Sequence, residues 1–139
     1  MVGEARRRGA AVILDSNFLF IPLRFGVDIF EELRRLLGGP VRCIVPSPVI
    51  EELRLLRRGA KPKLGKEIDF ALELADRCEI VGARVEADKT VDDAIFRIAR
   101  LWRCPVATND ADLRRRLRSV GVSVIYLRQR AFLEVEGSI

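Results

Sequence analysis

Short apolar runs alternate with amphipathic segments along this chain, and this alternation restricts the folds that it can adopt. The first run, residues 11–15 (AVILD), is apolar up to its final aspartate, which is typical of a strand buried on both faces. Further strand-like runs cover residues 41–45, 78–82, 105–110 and 122–127. Because helical segments separate these runs, the pattern predicts an α/β fold, a three-layer α/β/α sandwich around a parallel sheet.

The helices are predicted from apolar residues spaced three or four positions apart. They cover residues 27–39, 48–58, 67–76, 90–102 and 111–121. Ser47 and Thr90 are the expected N-caps, with Pro48 at the first helical position. Val120 is expected to face the core. Residues 59–66, rich in glycine, proline and lysine, are expected to form an exposed loop.

Length and composition indicate one domain. The chain has 139 residues, of which 49% are hydrophobic, enough to bury a single core. We expect a basic tail at residues 1–9 and the domain at residues 10–139. No apolar stretch approaches the roughly 18 residues of a membrane span, and the N-terminus lacks the apolar core of a signal peptide. A cytoplasmic protein without a membrane partner is therefore expected.

The charge and the cysteine content indicate which partners and metals the chain can bind. The formal net charge is +5 and the pI is about 9.6, so the surface favours a polyanion such as nucleic acid. The chain has three cysteines and no histidine, which argues against a zinc site. Cys43, Cys78 and Cys104 lie in or beside strand-like runs and are interpreted as reduced, buried side chains.

Acidic residues follow the predicted strands, at the edge where open parallel sheets bind ligands. Asp15 ends the first run, and Ser16 and Asn17 follow at once. Such a polar break in a buried strand is costly unless the polar groups find partners. The other acids expected at this edge are Glu51, Glu52, Asp92, Asp93, Asp110 and Asp112. We expect several of these carboxylates to meet.

Grouped carboxylates repel one another unless a cation lies among them. An all-oxygen set without histidine suits Mg²⁺ or Mn²⁺, and a hard divalent ion acting on a phosphodiester is the chemistry of many nucleases. A structural alternative stays open, because each acid also lies near a predicted helix N-terminus, where carboxylates cap N–H groups. The residues alone therefore support either a metal site or a set of helix caps.

Four stretches resemble, in order and spacing, the acidic motifs of PIN-domain nucleases: VILDSNFLF, VPSPVIEEL, VDDAIFRIA and VATNDADLRRRL. The stretches DSNFLFIPLRFGVDIFEEL and VIYLRQRAFLEV resemble the archaeal-type branch related to the small-subunit ribosomal RNA processing endonucleases. The resemblance covers about residues 10–127. It implies a PIN-like, Rossmann-like sheet of five parallel strands in the order 3-2-1-4-5. It also implies an endoribonuclease that uses one or two Mg²⁺ or Mn²⁺ ions.

The resemblance further implies roles for individual residues. The expected catalytic metal ligands are Asp15, Glu52, Asp93 and Asp110. The residues expected to support them are Ser16, Asn17 and Thr108. Asp112 matches a further acid that binds a second metal or its water. The family pattern alone selects Glu52 over Glu51, and it alone selects Asp93 over Asp92.

Basic clusters favour contact with RNA phosphates. One cluster adjoins the Glu52 helix and is expected to guide RNA toward the metals. Its members are Arg54, Arg57, Arg58, Lys61, Lys63 and Lys66. Two further clusters lie at residues 6–8 and 114–118. The alternative is that these residues form solvated helix faces of a charge-rich protein.

The biological role has more than one interpretation. Processing of a ribosomal RNA precursor, within ribosome biogenesis, is the first expectation. A ribonuclease toxin with an antitoxin partner is the runner-up, and a non-catalytic RNA-binding assembly factor is the alternative from another class. Homodimers are common in such a family, and Phe132 and Leu133 are candidate exposed contact residues.

Overall fold

The computed structural model describes residues 10–138 and contains one mixed sheet of six strands. The strands are β1 (Ala10–Leu14), β2 (Val41–Pro46), β3 (Glu79–Val81), β4 (Val106–Ala107), β5 (Val124–Arg128) and β6 (Phe132–Glu136). Their order is β3-β2-β1-β4-β5-β6, with β6 antiparallel to β5 and the other neighbours parallel. The predicted α/β class and the order 3-2-1-4-5 are confirmed. The predicted tail at residues 1–9 lies outside the described residues.

Helices connect the strands and cover both faces of the sheet, as right-handed crossovers require. A 3₁₀ segment at Ser16–Phe20 precedes α1 (Ile21–Phe25), α2 (Ile29–Leu37), α3 (Ser47–Arg58), α4 (Pro62–Ala75), α5 (Val91–Trp102) and α6 (Ala111–Ser119). Thr90 caps α5 as predicted: its Oγ1 accepts from the Asp93 N–H at 3.2 Å, and the Asp93 carboxylate accepts from the Thr90 N–H at 2.8 Å. In the described part of the chain, none of the helices combines the length and apolarity needed to cross a membrane.

β1 runs through the centre of the hydrophobic core. Val12, Ile13 and Leu14 have no exposed surface, as expected for a strand covered on both faces. Phe18, just beyond the polar break, is also completely buried. Burial of one such side chain stabilises the fold by about 1.5–3 kcal/mol. Apolar packing on both sides therefore fixes the position of the polar residues between Leu14 and Phe18.

The prediction of an exposed loop at residues 59–66 is wrong, because α4 already begins at Pro62. Proline suits the first helical turn, where its missing N–H has no intrahelical partner to lose. Gly65 is buried because the Arg57 guanidinium of α3 lies against it, 3.0 Å from where a Cβ would stand. The close packing of α3 on α4 thus makes this glycine part of the helix interface.

Two smaller expectations also differ from the structure. α3 begins one residue early, at Ser47, so Pro48 is its second residue. The Ser47 hydroxyl does not cap the helix; it accepts from the Ala83 N–H at 3.0 Å and donates to the Ala83 carbonyl at 3.3 Å. Val120 is 41% exposed instead of buried, because α6 ends at Ser119 and the chain turns toward β5.

β6 is an additional strand that the sequence analysis does not predict. It pairs with β5, and Leu127 lies opposite Leu133. α2 covers its outer edge, where Arg35 donates to the Leu133 carbonyl at 3.0 Å and Glu32 accepts from the Leu133 N–H at 3.0 Å. Leu133 is buried and Phe132 is half-buried. The expectation that these two residues form an exposed contact surface is therefore wrong.

The cysteines are free thiols within the described residues. Cys43 and Cys104 are buried, and Cys78 is half-buried beside the start of β3. Burial raises the pKa of the Cys104 thiol, which keeps it protonated. Their placement agrees with small apolar side chains that pack between strands and helices.

Candidate active site

The strand order reverses between β1 and β4, and open α/β sheets bind ligands in the crevice at such a point. Asp15 directly follows β1, and Thr108 directly follows β4. The Asp15 N–H donates to the Ala107 carbonyl at 3.0 Å, which joins the two strand ends. Residues that follow β1 and β4 therefore line one crevice.

Asp15 is a buried acid in this crevice, with 4% of its surface exposed. Its Oδ1 accepts from the Ser16 N–H at 2.8 Å. Its Oδ2 accepts from the Thr108 hydroxyl at 2.7 Å and from the Asn17 amide at 3.2 Å. All three residues predicted to support the ligands thus contact Asp15, and together they hold its carboxylate in one orientation.

Asn109 connects this group to the neighbouring strand, a role that the sequence analysis misses. Its backbone N–H donates to Asn17 Oδ1 at 3.1 Å, and its side-chain oxygen accepts from the Leu127 N–H of β5 at 2.9 Å. The Thr108 hydroxyl also accepts from the Asp110 N–H at 3.1 Å. These bonds fix the loop after β4. No local sequence signal marks Asn109, because its partners lie on distant segments.

Asp110 is both a helix cap and an acid of the crevice. Its Oδ1 accepts from the N–H groups of Asp112 and Leu113 at 2.9 and 3.0 Å, which makes it the N-cap of α6. No described residue donates a hydrogen bond to its Oδ2. The helix-cap interpretation is therefore correct for one oxygen of Asp110, and the second oxygen remains available to a ligand.

Glu51 and Glu52 point in different directions. Glu52 is half-buried, and its Oε1 accepts from the Ser16 hydroxyl at 3.0 Å, beside Asp15. Glu51 is exposed and lines a separate depression between α3 and α4, together with Asp69 and other acids. The structure thus brings Glu52 to Asp15 and leaves Glu51 outside the crevice.

The surroundings of Asp92 and Asp93 differ more strongly than those of Glu51 and Glu52. The Thr90 backbone bond and the Arg116 guanidinium, 2.6 Å from Asp93 Oδ1, lower the pKa of Asp93 to about 2. Burial, followed by the negative charge of Asp15 and its neighbours, raises the pKa of Asp92 to about 6. Asp92 therefore faces the crevice. Asp93, the ligand expected from the family pattern, is instead engaged in a helix cap and an ion pair.

The signal that separates these two acids is present in the sequence. Thr90 and Asp93 are three residues apart, the spacing of a capping box, which assigns the Asp93 carboxylate to the helix start. Asp92 lies one residue earlier, about 100° around the helix. Recognition of the capping box would have predicted that Asp92 faces the crevice.

Asp15, Glu52, Asp92 and Asp110 are referred to below as the crevice acids. Burial raises the pKa of Asp15, and the charges of Glu52 and Asp110 raise it further, against the lowering effect of its hydrogen bonds. Within residues 10–138, none of the crevice acids forms an ion pair. These carboxylates therefore have no paired cation, and Arg116, which is bonded to Asp93, acts only through space on the charge of Asp92.

The crevice acids provide only oxygen ligands, the donor type that Mg²⁺ and Mn²⁺ prefer. In the described range, no three acidic or cysteine side chains form a ready-made ligand cluster. Asp15 is held by three donors, whereas Glu52 and Asp92 are half-buried. The chemistry of the crevice, with its oxygen donors and without a paired cation, fits a hard divalent cation.

The other predicted site residues lie outside the crevice. Asp112 is exposed and pairs with Arg115. Arg57 pairs with Asp69 at 2.9 Å, on the contact between α3 and α4. The remaining cations of the predicted RNA-binding cluster are exposed on α3 and around the start of α4: Arg54, Arg58, Lys61, Lys63 and Lys66. None of the six predicted cations bonds to a crevice acid in the part of the chain that is described.

Comparison with known proteins agrees with this fold. The family model described as a PIN like domain matches residues 12–130. Ribonuclease VapC9 from Archaeoglobus fulgidus is 29% identical over 125 residues, which are 88% of each chain. Ribonuclease VapC4 from Methanocaldococcus jannaschii is 28% identical over 131 residues, 92% of this chain and 98% of that protein.

A solved structure shares the fold. The structure of the PIN domain endonuclease Utp24 matches with a TM-score of 0.77 and 27% sequence identity, over 93% of this chain and 92% of that chain. The span matched by the family model contains all four crevice acids. The chain therefore belongs to the PIN-domain family of nucleases, as its four acidic motifs predict.

Proposed function

We propose that this chain is a metal-dependent endoribonuclease that hydrolyses RNA phosphodiester bonds at the crevice acids. The observation that carries the proposal is the unbalanced negative charge around Asp15, which is 4% exposed. Removing a carboxylate from water costs several kcal/mol unless a countercharge is present. A fold that keeps such a group at its ligand-binding edge is suited to receive a cation there.

PIN-domain nucleases generally use divalent metals, and in this chain Asp15, Glu52, Asp92 and Asp110 would hold Mg²⁺ or Mn²⁺. When bound, such an ion supplies polarisation of the phosphate and activation of water. Thr108 and Asn17 keep the Asp15 carboxylate oriented through their bonds to Oδ2. The N–H groups at the start of α6 hold Asp110 in place. These fixed bonds are the preorganisation that the chain itself contributes.

The two acids outside the crevice would act less directly. Asp93 fixes the start of α5 and therefore the direction of Asp92. Asp112 is proposed to contact a second metal or its water, if two ions bind. The cations on α3 and around the start of α4 are proposed to attract the RNA backbone: Arg54, Arg57, Arg58, Lys61, Lys63 and Lys66. Their exposure supports this role, since phosphate contacts need accessible cations.

The test is cleavage of end-labelled RNA in the presence of Mn²⁺, Mg²⁺ or EDTA. The proposal expects products with either ion and none with EDTA. Asp15→Asn removes a negative charge with little change in volume and should abolish the products, while circular dichroism shows that the variant is folded. Binding of RNA without cleavage under every metal condition would contradict the proposal and favour a non-catalytic assembly factor.

Ribosomal RNA precursors are the proposed substrate. Two observations support this choice: the similarity to the endonuclease Utp24 over 93% of the chain, and the closing stretch VIYLRQRAFLEV. A single cut at a defined position of a precursor fragment is the expected result. Unselective cleavage of unrelated RNAs at similar rates would count against a processing enzyme.

A ribonuclease toxin with an antitoxin partner is the second candidate. The similarity to the archaeal ribonucleases VapC9 and VapC4, at 29% and 28% identity, supports it. A toxin should arrest growth when expressed, and a protein encoded beside it should bind the chain and restore growth. Neither effect is expected of a processing enzyme. Expression of the wild-type chain and of Asp15→Asn in parallel separates the two candidates.

A further inference from the structure

A basic groove lies outside the crevice, between the loop after β3, the outer face of α5 and one residue of α6. It encloses about 640 Å³. Its cationic lining residues are Arg84, Lys89, Arg97, Arg100 and Arg116. Two acids, Glu86 and Asp93, also line it. The sequence analysis does not identify this surface, because its residues come from three separate segments.

Each of the two acids that line the groove already forms an ion pair. Asp93 pairs with Arg116 at 2.6 Å, and Glu86 lies 3.7 Å from Arg97. The other three cations of the lining, Arg84, Lys89 and Arg100, form no ion pair with any described residue. The groove therefore presents an excess of three positive charges to an incoming ligand.

Phe96 and Arg97 give the groove a fixed shape. The guanidinium carbons of Arg116 and Arg100 lie 4.2 and 5.7 Å from the centre of the Phe96 ring. A guanidinium held against a ring in this way keeps its N–H edge available to an anion. Arg97 donates to the Arg84 carbonyl at 2.8 Å and so fastens the loop that forms the opposite wall.

The groove lies beside the crevice at the start of α5. Asp93 lines the groove, and its neighbour Asp92 faces the crevice acids. Arg116 pairs with Asp93 and is close enough to Asp92 to act on its charge. An RNA strand that leaves the crevice along α5 would therefore next contact the cations of the groove.

We infer that this groove binds the single-stranded RNA segment that flanks the scissile phosphate, with Arg84, Lys89 and Arg100 contacting its phosphates. The inference rests on the proposed nuclease function. The excess positive charge complements a phosphate backbone. Val85 and Leu101, which are 39% and 74% exposed in the groove, offer apolar surface to unstacked bases. The apolar surface favours a single strand over a duplex, whose bases are stacked and paired.

The test compares two triple variants that each remove three positive charges. The groove variant is Arg84→Gln, Lys89→Gln and Arg100→Gln. The matched control is Arg34→Gln, Arg77→Gln and Arg103→Gln. These residues lie in the last turn of α2, before β3 and after α5, near the amino ends of the strands and away from the groove. Both are made in the full chain carrying Asp15→Asn, and affinity for a short fluorescein-labelled single-stranded RNA is measured in EDTA over a range of salt concentrations.

The groove variant should bind about tenfold more weakly, and the slope of log affinity against log salt should fall by about 2, since each phosphate contact on a single strand contributes about 0.7. The control should keep both the affinity and the slope of its parent. Equal losses in both variants would overturn the inference, because they would reflect net charge alone. If the groove variant bound RNA with the affinity and salt slope of its parent, the inference would also be overturned. That holds even if the groove is found to bind an acidic peptide.

A second variant tests the arrangement of the groove without a change in charge. Phe96→Leu removes the ring that supports Arg100 and Arg116, and RNA affinity should fall severalfold while the salt slope is kept. Affinity equal to that of the parent would contradict the supporting role of Phe96. These binding measurements use the Asp15→Asn background without metal, so they do not depend on cleavage. If the wild-type chain failed to cleave RNA, the proposed function would be contradicted, but the result for the groove would still be valid.

Discussion

The acids of the crevice and the acids of the outer surface are chemically alike but are placed in opposite electrostatic surroundings. On the surface, Glu67 pairs with Arg24 at 2.8 Å and Asp69 pairs with Arg57 at 2.9 Å. In the crevice, Asp15 lies among other carboxylates and forms no ion pair with a described residue. The chain has 25 lysines and arginines, so positive charge is not scarce. The difference therefore comes from placement and not from composition.

Asp92 and Asp93 show the same contrast between adjacent residues. The pKa of Asp92 is raised to about 6 by burial and by neighbouring acids, whereas hydrogen bonds lower the pKa of Asp93 to about 2. One carboxylate stabilises the fold in its charged form, and the other opposes it. Substitution of individual acids can test this division between carboxylates that stabilise the fold and carboxylates that are available to bind a ligand.

The largest expected effect is on catalysis. Asp15→Asn should lower RNA cleavage by at least about 10²-fold, the effect of removing one preorganised electrostatic group. The matched control is Glu31→Gln, since Glu31 is exposed and pairs with Arg34 on α2. Its cleavage rate should equal that of the wild type. Comparable losses in the two variants would remove the distinction between crevice and surface acids. The measurement is single-turnover cleavage with Mn²⁺.

The next contrast separates Asp92 from Asp93. Asp92→Asn should lower cleavage by about 10²-fold, by the same physical reasoning, and should not lower the Tm of the metal-free protein. Asp93→Asn should lower the Tm, because it weakens the capping box and the bond to Arg116. Its cleavage at a temperature well below the Tm should fall less than that of Asp92→Asn. The reverse order of activities would show that Asp93 is the ligand.

Stability without metal should depend on pH with opposite signs at these two residues. The folded-state pKa of Asp92 is above its ordinary value of 3.8, so its contribution to stability decreases as pH rises from about 4 to about 6. The folded-state pKa of Asp93 is below that value, so its stabilisation is present above pH 4 and is lost as pH falls toward 2. Thermal unfolding of each Asn variant across this pH range measures both contributions.

Asp92→Asn should therefore stabilise the metal-free protein at neutral pH. After allowance for solvent screening of this half-buried group, we expect a gain of about 1 kcal/mol. Added Mn²⁺ should raise the Tm of the wild type at neutral pH, raise it less at pH 5, and leave Asp92→Asn nearly unchanged. A wild-type Tm that does not respond to Mn²⁺ at either pH would contradict the metal proposal. The readout is differential scanning fluorimetry.

The smallest effect is expected from a surface pair. Glu67→Gln breaks the ion pair with Arg24, which joins α4 to α1 at 2.8 Å. Exposed pairs contribute little, so the Tm should change by no more than about 2 °C, and high salt should remove the difference. A larger change that persists in high salt would mean that surface pairs also carry much of the fold's stability.

Apolar periodicity predicts the α/β class, and the general placement of ligands in such folds predicts the edge that carries the acids. The strand order follows from the resemblance to PIN-domain nucleases. The resemblance does not anticipate that the Asp93 carboxylate takes part in a capping box, so the choice of Asp93 over Asp92 as a ligand stays a prediction that the cleavage assays test. The loop prediction is also wrong at residues 62–66, where packing of Gly65 against Arg57 supports a helix that the glycine and proline content disfavours. Asn109 depends on partners from distant segments, so no local pattern reveals it. β6 forms a hairpin with β5 across residues 129–131, a local feature that the strand prediction overlooks.

The bonds from α2 to Leu133 have a consequence for how copies of this chain can associate. Copies of a chain can form an open filament by strand pairing only if both edge strands of every sheet have unpaired N–H and carbonyl groups. On β6, the outward N–H and carbonyl of Leu133 are already taken by Glu32 and Arg35. The opposite edge, β3, has three residues. Another strand that pairs with β6 would first have to displace these two hydrogen bonds, which disfavours growth of a filament through this edge of the sheet.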